Sequence, residues 1–115
     1  MRYLMYTSDR NPPTPPTPEL MAELGKLMED ATKANALVMT GGFGFTTQKV
    51  RSSGGKITVV DGPYAEAKEL VGGYAIFDVR SEDEAVEWAT RFRSIVGDGE
   101  STVQRLWAPE EGFPR

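Results

Sequence analysis

The 115-residue chain contains no cysteine and no histidine. Without cysteine it has no disulfide, no thiolate nucleophile and no thiolate metal ligand, which is typical of a protein from a reducing compartment. Without histidine it lacks the commonest general base and the commonest metal ligand. Acid–base chemistry would have to rest on carboxylates, lysine or tyrosine, and the sequence predicts neither a metal site nor a cofactor.

Long apolar runs and an excess of positive charge are also missing. The net charge of −4 disfavours nucleic acid and anionic membranes as partners, because phosphate contacts need clustered lysine and arginine. The apolar run over residues 3–6 is too short for a signal-peptide core, and no stretch approaches the roughly 20 apolar residues of a membrane span. We expect one cytoplasmic domain over residues 1–115 that binds neither nucleic acid nor membrane directly.

Two amphipathic helices alternate with apolar strands along the chain. The first helix is predicted to begin after the cap Thr17, with Pro18 at its first position, and to end at Asn35. The second begins at the capping box Ser81–Glu84 and ends at Gly97. Runs of β-branched, aromatic and aliphatic residues predict strands over residues 2–7, 36–40, 45–51, 56–60, 74–79 and 102–107.

This order of elements predicts an α+β domain of the ferredoxin-like βαβ–βαβ type with an inserted β-hairpin, in which two helices cover one face of an antiparallel sheet. The apolar side of the first helix is Leu20, Met21, Leu24, Leu27, Met28 and Ala31. The strands over 3–6 and 74–79 carry large apolar side chains on both faces. Because no further helix can cover the second face, we predict a homodimer through that face.

Glycine and proline interrupt this pattern at two places. The segment Gly41-Gly42-Phe43-Gly44 predicts a turn that ends the second strand, and it lacks the spacing and the following helix of a nucleotide-binding loop. The proline-rich stretch over residues 12–18 predicts a stiff, extended connector. A flap over a pocket, or a ligand for a proline-recognising domain, is also compatible with this composition.

The densest group of ionisable residues lies between two apolar runs, Val59-Val60 and residues 74–79, that are typical of central strands. It comprises Asp61, Glu66, Lys68 and Glu69. We interpret Asp61 and Lys68 as candidate catalytic residues, the first as a general base or acceptor and the second as a counter-charge for an anionic ligand. The commoner roles for such residues are hydrogen bonding to loop amides for Asp61 and a structural ion pair for Lys68.

Residues at the end of the first strand and in the same loop are predicted to bind a ligand, because ligand sites often form where strand ends converge. The predicted ligand-binding residues are Tyr6, Ser8, Asp9, Gly62, Pro63, Tyr64, Glu66 and Glu69. No catalytic triad or phosphate cradle is visible. A metal site built from carboxylates alone stays open, but no spacing in the sequence supports one.

Residues 60–69, followed by residues 72–74, resemble the signature of the YCII-related family and its DGPF subgroup, with Tyr64 in place of phenylalanine. The segments over residues 2–5 and 41–42 also sit where such proteins place theirs. The resemblance implies a dimeric α+β barrel, an architecture shared with muconolactone isomerase-like enzymes and cofactor-free monooxygenases, and a link to an alternative sigma factor. The His–Asp pair suggested as catalytic in the family has no counterpart here, because the chain has no histidine.

Two functions are compatible with these observations. The first is a dimeric module that binds a small molecule or regulates a protein partner. The alternative is a cofactor-free enzyme, of the isomerase, lyase or monooxygenase type, acting on a small polar or anionic organic substrate in a cleft near Asp61 and Lys68. The absence of histidine favours the first.

Overall fold

The computed structural model describes residues 1–8, 17–44, 47–61 and 72–112. The elements, in chain order, are β1 (Arg2–Ser8), α1 (Pro18–Lys33), β2 (Leu37–Gly42), β3 (Gln48–Ser53), β4 (Lys56–Asp61), β5 (Gly73–Asp78), α2 (Glu82–Val96), β6 (Glu100–Leu106) and a 3₁₀ turn (Pro109–Glu111). Most of the predicted proline connector lies outside the described residues.

Four strands form an antiparallel sheet in the order β2–β5–β1–β6, while β3 and β4 form a separate two-stranded sheet. In the larger sheet Tyr3 lies opposite Phe77 on one side and Arg105 on the other. Strands that pair in this sheet are thus not consecutive along the chain. Each helix connects two strands that have one other strand between them in the sheet. This is the ferredoxin-like arrangement with an inserted hairpin, so the predicted α+β fold is confirmed.

The helix ends follow from local hydrogen bonding, as predicted. The Thr17 hydroxyl accepts from the Leu20 amide at 3.1 Å, and the Ser81 hydroxyl accepts from the Glu84 amide at 3.2 Å. Asn35, just after α1, has a φ of 56°, the left-handed conformation expected of a helix-terminating residue. Neither helix in the described part of the chain is long and apolar enough to cross a membrane.

The core lies between the two helices and one face of the larger sheet. Tyr3, Met5 and Phe77 are buried on this face, and the Phe77 ring stacks with Trp88 at a centroid distance of 6.3 Å. Five of the nine members of the buried cluster are alanines: Ala31, Ala36, Ala75, Ala85 and Ala89. Such small side chains fill less space between helices and sheet than leucine or phenylalanine would.

The opposite face of this sheet, hereafter the second face, also carries apolar side chains, as the alternation predicts. Its members are Leu4, Tyr6, Met39, Tyr74 and Ile76. Leu4, Tyr6 and Ile76 are only half-buried and Met39 is exposed. No helix of the described chain covers this face, because both helices pack on the other side.

One predicted boundary and one predicted location are wrong. The second strand does not end before Gly41-Gly42 but runs through both residues, which pair with Tyr74 and Gly73. Val59-Val60 does not lie in a central strand: among the described strands β4 pairs with β3, and all residues of β4 are exposed. The hairpin turn itself is confirmed, with Gly54 and Gly55 at positive φ.

The predicted apolar side of α1 needs a correction as well. Leu27 and Ala31 are buried as expected, but Met21 and Met28 are exposed. The single covered stripe of α1 is therefore narrower than its apolar spacing indicates.

Candidate ligand site

A cavity of about 250 Å³ lies between the two helices and the larger sheet. Its floor is formed by Met5, Ala75 and Phe77, which the pleat of β1 and β5 points toward the helices. The remaining lining residues come from both helices and from the edge of the sheet: Leu24, Leu27, Met28, Ala31, Leu37, Thr40, Gly41, Gly73, Tyr74, Trp88 and Phe92. The interior is almost wholly apolar.

The cavity opens between α1 and β2. Met28, Thr40 and Gly41 line it and are exposed, whereas the floor residues are buried. The Thr40 hydroxyl donates to the Tyr74 carbonyl oxygen at 2.9 Å. The mouth thus combines a hydroxyl and the backbone of two strands with a flexible methionine side chain.

Two glycines of β2 and β5 lie close to neighbouring groups. A Cβ on Gly41 would lie 2.9 Å from the Tyr74 hydroxyl oxygen, and one on Gly73 would lie 3.0 Å from the Gly41 carbonyl oxygen. The Tyr74 ring also contacts Phe43, with centroids 5.4 Å apart. The glycines that predicted a turn instead let the Tyr74 ring lie across β2.

An ion pair outside the cavity holds the two helices together. Arg91 of α2 donates to the Asp30 carboxylate of α1 at 2.8 Å, and its guanidinium lies 4.9 Å from the centre of the Trp88 ring. The hydrogen bond from Arg91 lowers the pKa of Asp30, against the opposing effect of desolvation. The pair joins α1 to α2, the helices that carry the lining residues Leu27 and Trp88.

A half-buried cation, Arg93, joins the end of β1 to α2 and β6. Arg93 donates to the Thr7 hydroxyl at 2.9 Å and to the Gly97 carbonyl oxygen at 2.7 Å, with a longer contact of 3.4 Å to Ser101. Thr7 is buried two residues after Met5 on the same face of β1. The cluster therefore ties the end of β1 to α2 and β6 next to the cavity floor.

The YCII-related domain family matches residues 1–103. The chain belongs to the YCII-related family. One similar solved structure is 5-chloro-2-hydroxyhydroquinone dehydrochlorinase (TftG) from Burkholderia phenoliruptrix AC1100 in complex with 2,5-dihydroxybenzoquinone, 16% identical over 93% of this chain and 94% of that chain, with a TM-score of 0.47. No curated protein shows significant similarity.

In this YCII-related domain the predicted site residues are only partly within the described chain. Tyr6 and Ser8 alternate with Met5 and Thr7 along β1, so they face away from the cavity. Asp61 is exposed at the end of β4, where its carboxylate accepts from the Gln48 side chain at 2.8 Å. The other predicted residues lie outside the described residues: Asp9, Gly62, Pro63, Tyr64, Glu66, Lys68 and Glu69.

No described contact brings Asp61 together with Tyr6 or Ser8. The hairpin that carries Asp61 makes no extensive contact with the other described strands or with either helix. Across residues 1–8, 17–44, 47–61 and 72–112, no three carboxylates converge on a point that could hold a metal ion. The Asp61–Lys68 site stays a prediction.

Sequence reasoning missed both the cavity and the Arg93 cluster. Arg93 follows Ala85 and Ala89 at intervals of four residues, so it continues the buried stripe of α2. A charged residue on an apolar stripe is a recognisable signal for a buried polar contact. For the cavity the sequence offers a weaker indication, namely several alanines on the surfaces where the helices face the sheet.

Proposed function

We propose that this YCII-related domain binds a small, largely apolar molecule in the cavity between α1, α2 and the larger sheet. The volume and lining of the cavity support the proposal. A dry apolar cavity of about 150 Å³ accommodates benzene, and sites for drug-sized ligands begin at about 300 Å³. At about 250 Å³, this cavity suits one substituted ring or a branched chain of similar size.

The chemistry of the lining favours a ring with one polar group. Phe77, Trp88 and Phe92 offer aromatic surfaces, which stack or make edge contacts with a planar ligand. Thr40 and the backbone at Gly41 place hydrogen-bonding groups at the mouth. The ring would lie inside, with its polar substituent directed toward Thr40 and solvent.

Binding rather than turnover is the function that the described residues support best. Among the described lining residues Thr40 offers a hydroxyl, whereas the Tyr74 side chain lies on the second face, and no carboxylate or lysine is among them. A general base would have to come from elsewhere in the chain. The cofactor-free enzyme with Asp61 and Lys68 in its site is the second candidate, and the regulatory link to an alternative sigma factor is a separate prediction.

Filling the cavity tests the proposal. Thermal unfolding is followed with toluene, phenol and benzoate for the wild type, Ala75→Leu and the control Ala22→Leu, which adds the same atoms on the exposed side of α1. A ligand at 100 times its Kd adds about 2.7 kcal/mol of stability, so we expect a Tm increase of several degrees for wild type and control. We expect no increase for Ala75→Leu, whose side chain occupies the site.

The unfolding temperature without ligand shows whether Ala75→Leu fills the cavity or disrupts the packing around it. Ala75→Leu should unfold at or above the wild-type temperature, because the added carbons fill empty space instead of displacing neighbours. Equal ligand stabilisation in Ala75→Leu and wild type would contradict the proposal. Loss of stabilisation in Asp61→Asn and Lys68→Ala, with Ala75→Leu unaffected, would support the loop site instead.

A further inference from the structure

The Thr40 side chain lies at the mouth of the cavity, on the side of the sheet that faces the helices. In the pairing of β2 with β5, Thr40 is opposite Ala75, a residue of the cavity floor. Side chains of directly opposed residues point to the same face of a sheet, so the two share the cavity. Thr40 is exposed whereas Ala75 is buried. A polar group on a bound ring can therefore reach the Thr40 hydroxyl where the cavity meets water.

The single proton of the Thr40 hydroxyl is already used within the fold. The hydroxyl oxygen lies 2.9 Å from the carbonyl oxygen of Tyr74. Because a carbonyl oxygen can only accept, the hydroxyl must be the donor in this contact. What Thr40 retains for a ligand is the lone pairs of its oxygen, which accept a hydrogen bond and cannot donate one.

The backbone donors at the mouth are directed elsewhere. Gly41 lies opposite Tyr74, and two positions further along both strands the Phe43 amide donates to the Gly72 carbonyl oxygen at 3.1 Å. Because hydrogen-bonded and non-hydrogen-bonded pairs alternate in an antiparallel ladder, Gly41 and Tyr74 form a hydrogen-bonded pair. The Gly41 amide is thus bound to β5, whereas its carbonyl oxygen keeps a second lone pair. The Thr40 amide points in the plane of the sheet, away from β5, and not toward the helices.

The indole N–H of Trp88 is the other side-chain donor among the described lining residues, apart from the Tyr74 hydroxyl on the second face. Trp88 belongs to α2, which packs on β1 and β6, whereas the mouth lies between α1 and β2. The hydrogen-bonding capacity at the mouth is therefore that of acceptors.

We propose that the cavity selects neutral single-ring ligands whose polar substituent donates a hydrogen bond, as in phenols and aromatic amines. The inference rests on the proposed function, because it concerns the same cavity. An O–H or N–H substituent finds acceptors in the Thr40 hydroxyl and the Gly41 carbonyl. An ether oxygen or a carboxylate meets only lone pairs at the mouth, so such ligands bind through the ring alone.

Isosteric replacements in both ligand and protein test the proposal. Phenol and toluene have nearly the same shape and differ in a hydroxyl against a methyl group, as do threonine and valine. By calorimetric titration, Thr40→Val should weaken the binding of phenol by about threefold to tenfold and change the Kd of toluene by less than about twofold. Thr40→Ser, which keeps the hydroxyl, should restore phenol binding. The control Thr58→Val, on exposed β4 and outside the cavity lining, should change neither Kd.

Anisole and ethylbenzene form a second matched pair, in which the ether oxygen can accept but cannot donate. The ratio of their Kd values should be the same in the wild type and in Thr40→Val. Trp88→Phe removes the indole N–H, and it should leave the ratio of the phenol and toluene Kd values unchanged.

The results separate this inference from the proposed function. If phenol and toluene bind the wild type and both are lost in Ala75→Leu, equal changes of their Kd values in Thr40→Val would overturn the inference alone. A preference for anisole over ethylbenzene that disappears in Trp88→Phe would also overturn it. Failure of all these compounds to bind the wild type would overturn both proposals. Thr40→Ala removes the same hydroxyl with a smaller side chain, so the decision does not depend on the folding of Thr40→Val.

Discussion

At the scale of single residues, the charged side chain of Arg93 contacts three separate elements of the fold. It donates to Thr7 in β1, to Ser101 in β6 and to the carbonyl of Gly97 at the end of α2. Thr7 in turn donates to the Glu100 carbonyl oxygen. One guanidinium thus joins three elements beside the cavity, a geometry that the point charge of lysine does not reproduce.

A double-mutant cycle measures this connection. Arg93→Met should lower the free energy of unfolding by about 1–3 kcal/mol, because Thr7 and the Gly97 carbonyl lose a charged donor. Thr7→Val removes the hydroxyl that Arg93 contacts. Urea unfolding of the four proteins should show a coupling of about 0.5–3 kcal/mol, and strictly additive losses would show that the contact contributes nothing.

Some residue roles could be predicted from the sequence and others could not. The caps Thr17 and Ser81 and the left-handed Asn35 are local, because a few neighbouring residues determine their hydrogen bonds. Gly72 is different: a Cβ there would overlap the carbonyl oxygen of Thr7, a residue 65 positions earlier in the chain. Such a requirement exists only after β1 and β5 have paired.

At the scale of elements, the two helices are joined by the Asp30–Arg91 pair. The hydrogen bond from Arg91 holds the pKa of Asp30 below its ordinary value. A lowered folded-state pKa contributes stability above the unfolded pKa of about 3.9, and that stability is lost as the pH falls through the folded value. The pair therefore stabilises helix packing at neutral pH and ceases to do so in acid.

This pH dependence can be measured against Arg91→Gln. The wild type should be the more stable protein at neutral pH, and the difference should shrink below about pH 4 as Asp30 becomes protonated. Added salt should reduce the neutral-pH difference, since the pair is partly exposed. An NMR titration in which Asp30 has the same pKa in both proteins would contradict this explanation.

The hairpin shows why strands are easier to predict than their position in a sheet. The runs over 45–51 and 56–60 indicate two strands and the glycines indicate their turn, which local conformational preferences determine. Val59-Val60 was predicted to be central because continuous β-branched residues are typical of buried strands. The structure places both in the exposed β3–β4 hairpin, since periodicity indicates which faces are apolar but not which surface covers them.

At the scale of the whole molecule, the second face remains a predicted dimer contact. Its apolar side chains Leu4, Tyr6 and Ile76 continue across β1 and β5, and neither described helix lies above them. Ile76→Glu should convert the dimer to a monomer at micromolar concentration, because it places a charge at the centre of this surface.

Val86→Glu is the matched control for Ile76→Glu, as Val86 is an exposed aliphatic residue on α2. It should leave the sedimentation coefficient unchanged. Dimerisation that survives Ile76→Glu would remove the second face from the interface.

The cavity itself could not be foreseen from the chain pattern. Each lining residue looks like ordinary core, and an empty volume arises only from the sum of Ala31, Ala75 and their neighbours across separate elements. How closely the elements pack depends on the assembled fold, whereas residue spacing and composition in the sequence describe one helix or strand at a time.

The methionines offer the most direct test of ligand binding in the cavity. Met5 and Met28 line the cavity, Met39 lies on the second face, and Met1 and Met21 are exposed elsewhere. With ¹³C-methyl methionine, titration with phenol or benzoate should shift Met5 and Met28 by ring-current effects and leave the other three methyl signals in place. Shifts confined to Met39, or no shift at Met5 and Met28 with any single-ring ligand, would contradict a binding site between the helices and the sheet.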